Sequence, residues 1–418
     1  MSLEPLLGSL DIKTTIVTRS DHIPSSATSF DEAASGPQTE LPSIDIAASD
    51  FATILYTSGT TGRPKGAVAT QRNHVTNIMN SLLNVAVARR VAGIVVSPDT
   101  PAPQPSALQT FPFFHIGGLT GLYLNTLMGA KLVVMYRWNA AEAVQLIEEH
   151  GISSAGGVPT VVRQLLEAAR SAGRDLSTLQ GISSGGASVP PDLIRQIGGQ
   201  FRGLVGPTNG YGLTETTSAV IVASGQDYFD RPNSVGRAVV TADIRVVDDA
   251  GRDVPQGEIG EFWARGPNVI VGYWQNAEAT AQAFGSGWFR SGDLGYRDAE
   301  GLHYVVDRKK DVIIRGGENV YCAEVEAAIL EHPLVRDVAV VGVPHRELGE
   351  EVAAVVQPED AARGFEDLDG DIQHFLEGKL ARFKIPAVIK FSTLDLPRTA
   401  TGKVLKRELK TSFFDAAG

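Results

Sequence analysis

Tyr56-Thr-Ser-Gly-Thr-Thr-Gly-Arg-Pro-Lys65 is the stretch whose reading decides the fold. Ahead of it, Ala52 to Tyr56 is a short apolar run with β-branched residues and strand character. Behind it, Val75, Ile78, Met79, Leu82 and Leu83 recur at helical spacing. A loop of hydroxyls and glycines therefore sits between a strand and an amphipathic helix. Thr57, Ser58, Thr60 and Thr61 offer hydroxyl donors, and Gly59 and Gly62 let the backbone bring its N–H groups close to an anion. Lys65 adds a positive charge. This is the chemistry of a polyphosphate cradle. A Ser/Thr-rich surface turn would share the composition. The G-x-x-x-x-G-K-[ST] spacing is not met, because no Ser or Thr follows Lys65.

The bulk of the chain narrows the classes. Its 418 residues suffice for two or three domains with large cores. Hydrophobic residues make up 43% and charged residues 20%, a globular balance. The net charge of −11 argues against a general nucleic-acid or membrane-surface binder, so a phosphate-rich ligand must be met by local positive charge. One cysteine, Cys322, excludes an internal disulfide framework and points to a reducing, cytoplasmic setting. The start carries no secretory signal pattern, no run is long enough to span a membrane, and the histidines show no metal-ligand spacing.

Along the chain, the period of the hydrophobic pattern changes twice. From Lys131 to about residue 200, short strands alternate with helices, including a helix opened by Asn139 and Glu142 and stopped at His150-Gly151. That alternation predicts an α/β layer on a mostly parallel sheet, with ligands at the carboxyl ends of the strands. Around Ile244 the period becomes two, which predicts a small antiparallel unit over about 236–307. After the charged run Arg308-Lys-Lys-Asp311, helix and strand alternate again. The fold class is thus α/β. An N-terminal portion, 1–308, holds the parallel layer and the β-rich unit. A small mobile α+β domain, 309–418, follows.

Tyr211-Gly-Leu-Thr-Glu-Thr216 offers a flat ring for stacking on a purine, a hydroxyl at Thr214 and a hard carboxylate at Glu215 suited to Mg²⁺ shared with phosphate oxygens. The same residues could instead start a helix, with Thr214 as its cap. In Trp288-Phe-Arg-Ser-Gly-Asp293-Leu-Gly, Asp293 sits among glycines, where a carboxylate can accept two ribose hydroxyls or simply close a β-turn. Pro397-Arg-Thr-Ala-Thr-Gly-Lys403 is a loop ahead of a short basic helix.

Taken together, the phosphate loop, Tyr211–Thr216, Trp288–Gly295, Asp307–Asn319 and Pro397–Lys403 resemble, in order, the motifs of the adenylate-forming superfamily: acyl-CoA synthetases, nonribosomal adenylation domains and luciferase-like enzymes. The resemblance runs from about residue 50 to 410 and is strongest to fatty acyl-CoA ligases. Ser291 replaces the usual threonine. The resemblance implies that Thr57, Ser58, Gly59, Thr60, Thr61, Lys65, Gly185, Gly186, Ala187, Tyr211, Gly212, Asp293 and Arg308 bind ATP and AMP. It implies that Glu215 holds Mg²⁺ and that Lys403, Glu215, Thr214 and His115 serve the chemistry. Lys310 would be the hinge, and Gly316 and Gly317 would line the path of CoA.

The implied reaction joins a carboxylic acid to AMP with release of pyrophosphate, then passes the acyl group to the thiol of CoA. Phe113-Phe-His115-Ile-Gly-Gly resembles the gate of the acyl pocket in fatty acyl- and aryl-CoA ligases; His115 could equally be a hydrogen-bonded core histidine. With Ile116, Gly156, Gly157 and Gly212 it would line the pocket, and glycine at 212 would leave room for more than acetate. A medium- to long-chain fatty or other hydrophobic acid is the expected substrate. The alternatives are an acyl-AMP ligase serving a carrier protein and an inactive nucleotide- or acyl-binding remnant. Expected partners are the acid, ATP and CoA, with a homodimer as an option. In the family the phosphate loop lies deeper in the chain, so on the order of a hundred residues of the usual first part are expected to be missing.

Overall fold

The computed structural model describes residues 12–36, 40, 42–57, 64–91, 93, 103–186, 189–200, 206–360, 365, 367–399 and 402–415. The chain forms two compact units, residues 1–47 and 48–418. The first pairs Ile16–Val17 in parallel with Thr28–Ser29. A short helix, Phe30–Ala34, follows, capped by the Ser29 side chain.

In the second unit, the largest sheet among the described residues has seven strands. Its order is Arg237–Ala238, Ser218–Ser224, Gly206–Leu213, Gly181–Gly185, Ser154–Gly157, Ser106–Gln109 and Lys131–Val134. The strands from Gly206–Leu213 to Lys131–Val134 run parallel, and the other two join antiparallel at one edge. Helices Ala140–His150, Pro159–Ser171 and Pro191–Gln200 bury Ile147, Leu165, Leu166, Leu193 and Ile197 in one core with Ile182 of the sheet. The local signals act as read. Asn139 accepts the Glu142 N–H at 3.0 Å, and Gly151 ends the helix in the left-handed conformation.

The phosphate loop stands in a different setting from the one expected. A second strand, Lys65–Thr70, precedes the helix and pairs antiparallel with Phe51–Thr57, with Thr57 opposite Lys65. The segments that flank the loop are therefore two paired strands, not a strand and a helix. Gly272–Tyr273 completes this three-stranded sheet. The following helix, Gln71–Val91, is also oriented against expectation. It buries Asn73, His74, Asn77 and Asn80. Val75 and Met79, from its apolar stripe, are each 56% exposed. Hydrogen bonds explain the choice of face: the Asn73 amide donates to the carbonyls of Pro267 and Val269, Asn80 donates to Thr241, and His74 meets the Thr53 hydroxyl at 2.8 Å.

The unit with period two is a five-stranded antiparallel sheet formed by Asp243–Val247, Gly260–Arg265, Phe284–Gly285, Trp288–Arg297 and His303–Arg308. After it, Val335–His345 pairs with Gly349–Pro358, and the free edge of Gly349–Pro358 carries both Val388–Phe391, in parallel, and Ile313–Arg315, antiparallel at its start. Helices Cys322–Leu330 and Leu368–Leu376 pack there through Val325, Ile329, Ile372 and Leu376. Cys322 is buried, and its thiol donates to the Asp311 carbonyl at 3.0 Å. Burial pushes that thiol up to about 12. Among the described residues, no helix is long and apolar enough to cross a membrane.

Candidate active site

The carboxyl ends of the parallel strands converge on one cleft, as expected for an open α/β sheet. Strand Ser106–Gln109 leads to His115, Ser154–Gly157 to Val158, Gly181–Gly185 to Gly186, and Gly206–Leu213 to Thr214 and Glu215.

Thr214–Thr216 forms a single 3-10 turn, so Thr214 does not cap an α-helix. The turn is held by Thr216, whose hydroxyl accepts the Leu213 N–H at 2.8 Å. Glu215 is 9% exposed. Its Oε1 accepts the Tyr273 hydroxyl at 2.7 Å. Among the described residues, its second oxygen accepts no hydrogen bond and no cation lies within ion-pair distance. Lys65 has its Nζ 5.2 Å from the centre of the Tyr273 ring.

Asp293 is 3% exposed and lies within strand Trp288–Arg297, not in a turn. It stands opposite Arg308 on the neighbouring strand. Arg308 Nε is 2.6 Å from Oδ1, and the Tyr211 hydroxyl donates to Oδ2 at 2.7 Å. Burial raises the Asp293 carboxyl above the usual range, against the pull of Arg308, Tyr211 and Lys403. The Tyr211 phenol is pushed well up, first by burial and then by Asp293. Ser291, at the family's threonine position, donates to the Phe262 carbonyl at 2.7 Å and accepts the Asp293 N–H at 3.0 Å.

Lys403 hangs from a turn that closes on itself. The Thr399 N–H donates to the Lys403 carbonyl, Gly402 N–H to the Thr399 carbonyl, and Leu405 N–H to the Pro397 carbonyl. Arg398 braces it, donating to the Gly402 carbonyl at 2.7 Å and pairing with Asp337 at 2.5 Å. Gly402 reaches Val158 so closely that a Cβ there would stand 3.1 Å from Val158 Cγ2. Lys403 keeps an accessible surface, yet the surrounding walls lower its ammonium below the ordinary value. Desolvation is the first cause, Arg308 and Lys310 add to it, and Asp293 and Glu215 oppose it.

His115 caps helix Ile116–Leu127, its Nδ1 accepting the Gly117 N–H at 3.1 Å, so the neutral ring carries its proton on Nε2. It stacks on Phe111 with centroids 5.7 Å apart. Burial first, and Lys403 second, hold it below its usual value. Ile116 is buried beside it. Gly156 and Gly157 end a strand of the parallel sheet. Gly212 has a backbone reason to be glycine: a Cβ there would lie 1.9 Å from the Ser218 carbonyl oxygen. Gly316 and Gly317 form the tip between Ile313–Arg315 and Glu318–Val320, both with positive φ, as a tight hairpin of this hand requires. Lys310 lies exposed in the turn after Arg308. Ser58, Gly59, Thr60, Thr61 and Ala187 fall outside the described residues; Thr57 and Gly186 stand at the edges of those gaps.

Residues 2–274 match the family described as AMP-binding enzyme, and residues 324–403 match the AMP-binding enzyme C-terminal domain. The chain belongs to the AMP-binding enzyme family. Within that family it is 36% identical over 376 residues to a feruloyl-CoA synthase of Amycolatopsis sp, covering 90% of this chain and 72% of that protein. An indoleacetate–CoA ligase of Aromatoleum aromaticum is 37% identical over 379 residues, 90% of this chain and 68% of that protein. The structure of O-succinylbenzoate coenzyme A synthetase from Bacillus subtilis, in complex with ATP and magnesium ion, superposes with a TM-score of 0.80 at 30% identity. That match covers 98% of this chain and 82% of the other.

For an AMP-binding enzyme, the donor set at Glu215 fits a magnesium ion of a particular kind. One hard carboxylate with an open oxygen suits an ion that draws its other ligands from water and nucleotide phosphates. Among the described residues there is no cluster of three or more His, Cys, Asp or Glu that would cage a metal alone. Sequence reasoning missed Tyr273 and Arg398, and placed Val158 in the acyl-pocket wall without its contact with the Lys403 turn. Tyr273 carries no local signal, and Arg398 lies inside the motif that Lys403 closes.

Proposed function

We propose that this chain is an AMP-forming acid–CoA ligase that uses ATP and Mg²⁺ to make an acyl-adenylate and then passes the acyl group to CoA. The observation that carries the reading is a pair of buried carboxylates in one site, Asp293 gripped by Arg308 and Tyr211, and Glu215 held by Tyr273 through one oxygen.

In the first half-reaction, a carboxylate oxygen attacks the α-phosphorus and the bond to the β-phosphate oxygen breaks. Lys403 supplies a fixed positive charge where charge develops between carboxylate and α-phosphate. Asp293 accepts the ribose hydroxyls with its remaining lone pairs, and Arg308 keeps that carboxylate in place. Tyr211 flanks the base. Lys65 serves the β- and γ-phosphates, where preorganisation does most of the work. Mg²⁺, when bound through Glu215 and phosphate oxygens, supplies charge neutralisation on the polyphosphate. The boundary at Lys309–Lys310 is the proposed hinge between the half-reactions, and Gly316–Gly317 the proposed wall of the CoA path.

The acid we propose is aromatic or arylalkyl. The relatives that support this choice over the fatty-acid expectation are named for feruloyl, indoleacetate and succinylbenzoate. The stacked pair Phe111–His115 offers an aromatic wall consistent with such a ring. The test is acid-dependent ATP–pyrophosphate exchange with a panel from acetate through palmitate plus benzoate, cinnamate, ferulate and indoleacetate. Exchange is expected with the aryl members, and Lys403→Ala is expected to lower it by roughly 10²–10³-fold. Because its ammonium is lowered, the wild-type rate should fall on the alkaline side before an ordinary lysine would deprotonate, and Lys403→Arg should move that limb to higher pH. Exchange with palmitate alone would return the substrate to the fatty acids. No exchange with any acid would overturn the enzyme reading.

A further inference from the structure

One short segment, Ile270 to Trp274, reaches both charged groups on the phosphate side of the cleft. The Ile270 N–H donates to the Glu215 carbonyl at 2.9 Å, and the Trp274 N–H donates to the Gly66 carbonyl, next to Lys65, at 2.7 Å. Between them, Tyr273 meets both side chains. Its hydroxyl donates to Glu215 Oε1 at 2.7 Å, and its ring lies under the Lys65 ammonium at 5.2 Å. The ring is itself fixed. Tyr273 pairs with Ala67 in the hairpin sheet, its N–H donates to Thr280 Oγ1 at 2.9 Å, and Phe284 meets it edge-on with centroids 6.0 Å apart.

A buried carboxylate and a nearby lysine would ordinarily form an ion pair. Among the described residues no salt bridge joins Glu215 to Lys65, and the phenol ring stands where each meets a partner of the right kind. The face of the ring attracts the cation, and the O–H at its edge satisfies the anion. Both charges are thereby oriented while neither is cancelled.

We infer that Tyr273 is a positioning residue that holds Lys65 and Glu215 apart, so that their opposite charges are offered to a metal–nucleoside triphosphate and not to each other. The inference rests on the nucleotide reading of the cleft given above. It predicts a selective effect. Ligands with β- and γ-phosphates and a magnesium ion need both charges, whereas AMP is held by the Asp293 side.

The test is calorimetric binding of MgATP and of AMP, measured separately at one salt concentration, to the full chain and to Tyr273→Phe and Tyr273→Leu. Tyr273→Phe keeps the ring and the fold and loses only the O–H. It should weaken MgATP by about 5–10-fold and leave AMP within about twofold. Tyr273→Leu removes the spacer as well and should weaken MgATP by about 30-fold or more, again with AMP little changed. Thermal melting checks that each variant is folded. Should Tyr273→Leu fail to fold, Tyr273→Phe carries the test alone. Equal losses for MgATP and AMP would mean a merely structural tyrosine and overturn the inference. So would unchanged MgATP binding in Tyr273→Phe. A wild-type chain that binds AMP and MgATP leaves the nucleotide reading standing in either case; one that binds neither removes both together.

Discussion

Two buried carboxylates face the same cleft, and each accepts a tyrosine hydroxyl at 2.7 Å. Beyond that they differ. Asp293 is also gripped by Arg308 at 2.6 Å, so its charge is balanced within the protein. Glu215 has no such partner among the described residues. A balanced carboxylate can accept neutral hydroxyls without a surplus of charge, while an unbalanced one favours a cation. Burial alone therefore does not define a carboxylate's task; the presence or absence of a bound cation does.

The comparison can be broken from either side. Glu215→Gln keeps the shape and can still accept from Tyr273 but deletes the charge. Adenylation should fall by roughly 10²–10³-fold, with AMP affinity nearly unchanged, as read by pyrophosphate exchange beside calorimetry. Asp293→Asn should do the reverse. It leaves Arg308 without its counter-charge, and AMP affinity should fall about tenfold, with about 1–3 kcal/mol lost in denaturant unfolding. The loss is kept modest because Arg308 is partly exposed. If Asp293→Asn left AMP binding intact while abolishing the effect of magnesium, the two roles would be exchanged.

A smaller effect sharpens a second contrast, between helices. In Pro159–Ser171 the apolar face is buried, as periodicity predicts. In Gln71–Val91 the asparagine face is buried, and of the apolar stripe Val75, Met79 and Leu83 are exposed while Ile78 and Leu82 are half-buried. Asn73→Ala should cost about 1–3 kcal/mol, because the Pro267 and Val269 carbonyls and the Thr70 N–H lose their partner. Val75→Ala on the exposed face should stay within about 0.5 kcal/mol. Equal costs would show that Asn73 is not what holds that face inward.

Those helices also mark how far the sequence could be read. Local rules sufficed where the deciding partner was near in the chain: Asn139 with Glu142, and Gly151 in its left-handed turn. The family resemblance assigned Asp293, Arg308, Glu215 and Lys403 to one site, and of these the structure joins Asp293 and Arg308 in an ion pair. What periodicity could not supply was the identity of distant partners. The burial of Asn73 depends on carbonyls almost two hundred residues away. The strand Lys65–Thr70 escaped notice because Lys65-Gly66-Ala67 has weak strand propensity, and its pairing with Phe51–Thr57 and Gly272–Tyr273 is what forms it. Tyr273 was invisible for the same reason.

The lone cysteine has a practical meaning. Cys322 is buried, hydrogen-bonded to the Asp311 carbonyl and protonated at neutral pH, so thiol-directed dyes should pass it by. A cysteine introduced on the exposed surface would then be the chain's one labelling site without any background substitution. Fluorophores placed this way on either side of Lys310 would report the distance between the two flanking regions during turnover, in a protein otherwise left as it is.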